Sequence, residues 1–136
     1  MISGRQEYYR SRGAARFHPV PYDCSKARGL LSACSYLEDE ALEIRGYELY
    51  GTPWQPEFCD WAFNLPTEEL LKRWQAIPET TDLLLVHGPP LNHGDRTSRD
   101  TRVGCPELLS AVQRRRIAAV VSGHLHERLG GAFPRL

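Results

Sequence analysis

The chain has 136 residues, 41% of them hydrophobic, and its 17 basic side chains balance 17 acidic ones. That length suits one domain able to bury roughly two-thirds of its unfolded surface. Balanced charge gives no overall field for nucleic acid or an anionic membrane, and no apolar run approaches the roughly 20 residues that span a bilayer, so neither is expected as a partner.

Residues 1–21 read as a weakly ordered segment. Met1-Ile2-Ser3-Gly4-Arg5-Gln6-Glu7 lacks the apolar core of a signal peptide, and Tyr8, Tyr9 and Phe17 are scattered among arginines before Pro19 and Pro21. His18, beside Pro19, carries no functional signal. The four cysteines, Cys24, Cys34, Cys59 and Cys105, form no Cys-x-x-Cys pair. Reduced thiols in a cytoplasmic protein are therefore expected, with neither a zinc ribbon nor a disulfide framework.

Ala27, Leu30, Leu31 and Cys34 recur at helical spacing and predict a helix over about 22–34. From Ala41 to Tyr50 the period falls to two, and Arg45-Gly46 between the apolar pairs predicts a hairpin turn. Gly51 to Pro56 then breaks regular structure. Thr67 reads as an N-cap, with Leu70, Leu71 and Trp74 on one face of a helix that Pro78 stops.

Residues 82–86 predict a strand whose unbroken apolar character implies a sheet covered on both faces. A polar loop runs from Leu91 to Arg102, and Pro106 suits the first turn of a helix bearing Leu108, Leu109 and Val112. Arg114-Arg115-Arg116 is the solvated end of that helix, where the dipole favours cations. A second strand follows at 117–121. Strand, loop, helix, strand is a βαβ unit with parallel strands, which places ligands at the strands' carboxyl ends.

Both strands end in histidine and glycine: His87-Gly88-Pro89-Pro90 after the first, Gly123-His124-Leu125-His126-Glu127 after the second. His124 and His126 share a side if the segment stays extended, and His87 arrives from the neighbouring strand as a third nitrogen ligand. Together they describe one half of a metal site. His93, in the Asn92-His93-Gly94-Asp95 turn, reads as a solvated loop residue. Two close divalent ions would also need anionic ligands. The candidate carboxylates are Asp82, at the wrong end of its strand, and Asp95, Asp100 and Glu127, in or beside loops.

These motifs resemble the calcineurin-like metallophosphoesterases, in particular the metallophosphoesterase-domain-containing branch. The resemblance runs through Tyr36-Leu37-Glu38-Asp39, the hairpin at Gly46, Tyr50 to Pro56, Phe63-Asn64-Leu65-Pro66 and Trp74-x-x-Ile77-Pro78. It continues through His87-Gly88-Pro89-Pro90, Arg102-Val103-Gly104-Cys105 with Glu107-Leu108-Leu109, Val112-Gln113-Arg114-Arg115 and Gly123 to Glu127. It is close over about residues 36–131.

The resemblance implies an α/β (α+β) class: a partial calcineurin-like phosphoesterase fold, a β-sandwich flanked by helices that lacks its first and last strands. It divides the chain into the weakly ordered 1–21, a partial metallophosphoesterase domain over 22–131, and a divergent tail at 132–136. His87 and His124 resemble ligands of one metal and His126 a ligand of the other, with manganese, iron or zinc suited to mixed nitrogen and oxygen ligation. The family's Asp-x-His, Gly-Asp-x-x and Gly-Asn-His motifs should precede residue 1. The implied function is the C-terminal portion of a metal-dependent phosphoester hydrolase acting on a small phosphodiester or nucleotide. The alternative is a non-catalytic binding protein holding at most one metal.

Overall fold

The computed structural model describes residues 28–59 and 62–125, together with Asp23 and Lys26. Residues 1–21, Cys24, His126, Glu127 and the tail at 132–136 lie outside the described residues, and with them the readings made for those positions. The chain divides into two compact units, Met1–Tyr36 and Leu37–Leu136.

Within the described part of the first unit, the helix expected over 22–34 does not reach its predicted end. Its last regular element is a single 3-10 turn, Arg28–Leu30, and residues 32–33 form a turn. Leu30 and Leu31 face solvent rather than a core, so the helical spacing had no surface to bury and nothing to stabilise a longer helix. The Arg28 guanidinium lies 5.0 Å from the centre of the Tyr36 ring.

The second unit opens with the predicted hairpin, β1 (Glu40–Ile44) against β2 (Tyr47–Thr52). Arg45 and Gly46 both take positive φ, 53° and 83°, as a two-residue turn matched to strand twist requires. The expected break after Gly51 is smaller than predicted. β2 continues to Thr52, and β3 (Gln55–Pro56) pairs in parallel with β4 (Asn64–Leu65).

Helix α1 spans Thr67–Ala76. Its N-cap is Pro66, not Thr67, and no side chain caps it. Glu68 and Glu69 in the first turn complement the dipole instead. Strand β5 (Leu83–Val86), helix α2 (Pro106–Arg115) and strand β6 (Ala119–Ser122) complete the βαβ unit. The main sheet runs β1-β2-β5-β6, with β2, β5 and β6 mutually parallel. Cys105 is the N-cap of α2, its Sγ accepting from Leu108 N–H at 3.4 Å, and Arg116 closes the helix in the left-handed region.

The core joins Tyr50, Leu84 and Val86 of the sheet to Leu70, Trp74 and Ile77 at α1 and Leu108, Ala111 and Val112 of α2. Each fully buried Leu, Ile or Val among them contributes about 1.5–3 kcal/mol. β5 does not behave as a strand covered on both faces. Its residues alternate between buried and half-buried, and the register puts Leu83 and Leu85 on the face shared with Leu49, Val121 and Leu42. On that face Tyr47 is 65% exposed, Val121 55% and Ile44 47%. The unbroken apolar run in the sequence thus reflects one buried face and one open one. Strand β6 starts two residues later than expected, and Ile117 fills the core from the preceding turn.

Two acidic side chains tie neighbouring elements of the unit together. Asp39, at φ 56°, accepts from Thr52 Oγ1 (2.7 Å), Trp54 Nε1 (2.7 Å) and Arg73 Nη1 (2.8 Å), tying the start of the hairpin to α1. Asp82 accepts from the Glu48 N–H at 2.8 Å and joins the entry of β5 to β2, far from the strand's carboxyl end.

Candidate functional site

Strands β5 and β6 are adjacent and parallel, so their carboxyl ends emerge side by side. His87 follows Val86 directly, and the Gly123 N–H donates to the His87 carbonyl at 3.0 Å, which locks the two exits together. His124 then sits at φ 68°. The Leu125 N–H donates to the Gly123 carbonyl at 2.8 Å, closing a three-residue turn about His124. Such positive-φ γ-turns are rare and strained for a side-chain-bearing residue, and strain of this kind concentrates at functional positions. Simple alternation along an extended strand, expected to set His124 and His126 on one side, therefore does not apply at His124.

The turn swings the His124 ring against His87. His87 Nε2 and His124 Nδ1 face each other at 3.1 Å, with ring centres 4.9 Å apart. That separation suits a hydrogen bond between the rings and is also compatible with a shared metal ion, since two ligands of a zinc-sized ion, each bonded at about 2.0–2.1 Å, can stand up to about 4.1 Å apart. His126, the third predicted ligand, lies outside the described residues. Among the described residues no group of three or more His, Cys, Asp and Glu side chains could hold a metal.

Of the candidate carboxylates, the described ones, Asp82, Asp95 and Asp100, are engaged elsewhere. Asp95 is fully buried and serves the loop after β5. Its carboxylate accepts from Asn92 N–H (2.9 Å), Gly104 N–H (3.3 Å) and Arg102 Nη1 (2.9 Å). Burial works against its charge, but these donors outweigh it and hold the carboxyl below its ordinary value. Asp100 is exposed and pairs with Arg96 at 3.0 Å. His93 is half-buried rather than solvated, its N–H donating to the Pro90 carbonyl at 3.2 Å.

With its base fixed by Asp95, the loop forms a small hairpin. Arg96 and Arg102 are bridged, and Thr97 N–H donates to the Thr101 carbonyl at 2.9 Å. Gly104 lets it close, since a Cβ there would meet the Pro90 carbonyl oxygen at 2.6 Å. The hairpin forms one wall of a groove of about 510 Å³ beside the histidine pair. The opposite wall is the exit of β3 through Phe58, whose ring meets His124 edge-on at 5.6 Å and 90°. The sequence reading missed Phe58, because it is one of several aromatics, with Trp54, Trp61 and Phe63, in a stretch without helix or strand periodicity.

No protein-family model matches the chain. Its sequence is 43% identical over 129 residues to the human protein called Metallophosphoesterase domain-containing protein 1, and equally to the mouse protein of that name, covering 93% of this chain and 39% of each relative. It is 49% identical over 106 residues to a Caenorhabditis elegans protein of the UPF0046 group, covering 76% of this chain and 27% of that one. The fold class is mixed α/β, with parallel strands presenting histidines at their carboxyl ends. The chain belongs to the metallophosphoesterase-domain-containing branch. It spans about two-fifths or less of the length of these curated relatives.

Proposed function

We propose that this chain carries the histidine-bearing part of a metal-dependent phosphoester hydrolase of calcineurin-like fold, with small phosphodiesters as the favoured substrates. The observation that supports this most is the convergence of His87 and His124 at 3.1 Å, at the ends of neighbouring parallel strands. In this reading His87 and His124 hold one divalent ion, and His126 follows two residues later as a ligand of a second. Bound metal supplies polarisation of the phosphoryl oxygens and a nucleophilic hydroxide.

The protein's own contributions are orientation and shielding. The Gly123–His87 backbone bond fixes the spacing of the two imidazoles, and the turn about His124 aims its Nδ1. Phe58 covers one edge of the His124 ring and limits water on that side.

The chain is titrated with manganese or zinc and analysed for bound metal after dialysis. At most one retained ion per chain is expected, with affinity falling as pH drops because a protonated imidazole cannot ligate. His87→Ala and His124→Ala should each abolish retention. Hydrolysis of a chromogenic phosphodiester that persists in the double variant would remove the pair from the reaction. Metal retention without turnover favours the rival reading, a non-catalytic binding protein, which draws on the lack of a carboxylate beside the pair among the described residues.

A further inference from the structure

The groove beside the histidine pair has features that go beyond metal binding. Its volume of about 510 Å³ lies within the range of small-molecule sites. Its walls are mainly apolar, formed by Phe58, Pro89, Val103 and Leu125. Phe58 and Val103 are each nearly half exposed, at 49% and 45%, so their apolar surface faces solvent. No Lys or Arg lines the groove, and Glu57 adds a carboxylate. None of the three arginines of the loop hairpin lines the groove: Arg96 pairs with Asp100 at 3.0 Å, Arg102 with Asp95 at 2.9 Å, and Arg99 is exposed at the hairpin tip.

We propose that this groove is a subsite for an uncharged aromatic group esterified to the phosphate, and that Phe58 and Val103 select it. The proposal rests on the reading of His87 and His124 as the phosphate-side metal ligands. The physical basis is complementarity. A planar ring entering the groove covers the exposed faces of Phe58 and Val103 and can pack on Phe58 in an offset or edge-on arrangement. A second phosphate or a sulfonate there would meet Glu57, with no Lys or Arg among the lining residues to offset it. The substrates favoured are thus esters of neutral aromatic or heteroaromatic alcohols, and polyphosphates are disfavoured.

The test uses the whole chain with manganese and compares binding of 2-naphthylphosphonate and methylphosphonate by calorimetry. The naphthyl compound should bind at least about tenfold more tightly, and a ring-sulfonated analogue should lose most of that advantage. Phe58→Ala and Val103→Glu should each reduce the preference to within about twofold. Both positions are partly exposed, so both variants should keep the wild-type unfolding midpoint. Equal affinities for the two phosphonates, or a ring preference unchanged in both variants, would overturn the proposal. If neither phosphonate binds in a manganese-dependent way, the metal reading fails, and 2-naphthol alone then decides the groove. Saturable binding that is lost in Phe58→Ala supports the subsite, and no saturable binding refutes it.

Discussion

The guanidinium of Arg115 on α2 donates through Nε to the Ile77 carbonyl at 2.7 Å, and through an Nη to the Gln75 carbonyl at 2.8 Å. These carbonyls lie in and just beyond the last turn of α1, where no intrahelical N–H remains to satisfy them. One arginine therefore caps a helix on the neighbouring element, and its side chain is buried in doing so.

Replacing Arg115 with alanine should destabilise the chain by about 2–4 kcal/mol, since one buried and one partly buried carbonyl lose a charged donor. Lysine should recover less than half of that, because a single ammonium lacks the planar fork that reaches both oxygens. Urea unfolding midpoints of the three proteins test this. An Arg115→Ala midpoint equal to wild type would show that the contact carries no net stability.

Asp95 makes stability depend on acidity. Its carboxyl is held below its ordinary value of 3.8 in the folded state. The stabilisation it provides is thus complete above the unfolded pKa and is lost as pH falls through the folded value. The stability difference between wild type and Asp95→Asn should be largest near neutral pH, at about 1–3 kcal/mol. It should shrink as the solution is acidified from about pH 5 towards pH 2. A difference that is constant across that range would disprove the carboxylate's role.

Cys105 should be chemically silent. Burial pushes its thiol up to about 11, the Glu107 carboxylate adds to this, and the Leu108 N–H only partly offsets it. A thiol reagent at pH 8 should label exposed Cys34 and Cys59 in native protein and reach Cys105 only on unfolding. Mass spectrometry of peptides from briefly labelled protein checks the order. Early modification of Cys105 would mean that α2 opens locally.

The uncovered sheet face predicts poor behaviour of the isolated chain. Ile44, Tyr47 and Val121 lie on one apolar surface, and β1 and β6 are the edges among the described strands, so self-association is expected. Tyr47→Lys with Val121→Lys should raise the soluble fraction and reduce binding of a hydrophobic dye, while leaving the unfolding midpoint within about 0.5 kcal/mol of wild type. Unchanged solubility would indicate that this face is already covered in solution.

Local physics made much of the fold legible in the sequence. The Arg45-Gly46 turn, the Pro106 start of α2, the stop at Pro78 and the parallel strand pair follow from backbone preferences and short-range periodicity. So does the placement of His87 and His124 at strand ends, because topology alone sets where a βαβ unit presents its exits. Tertiary contacts decided the rest. Arg115 belongs to a run of three arginines that reads as solvated, yet α2 turns that one residue onto the carbonyls of α1. Asp95 reads as a loop carboxylate available to a metal, yet three donors brought together by chain closure consume its oxygens. Cysteine is an unusual N-cap, so the helix start at Cys105 gave no capping signal. The approach of the two imidazoles depends on a strained turn at His124, which no propensity favours. The Gly123–His87 backbone bond and the packing of Phe58 against His124 accompany it, and both join residues far apart in sequence.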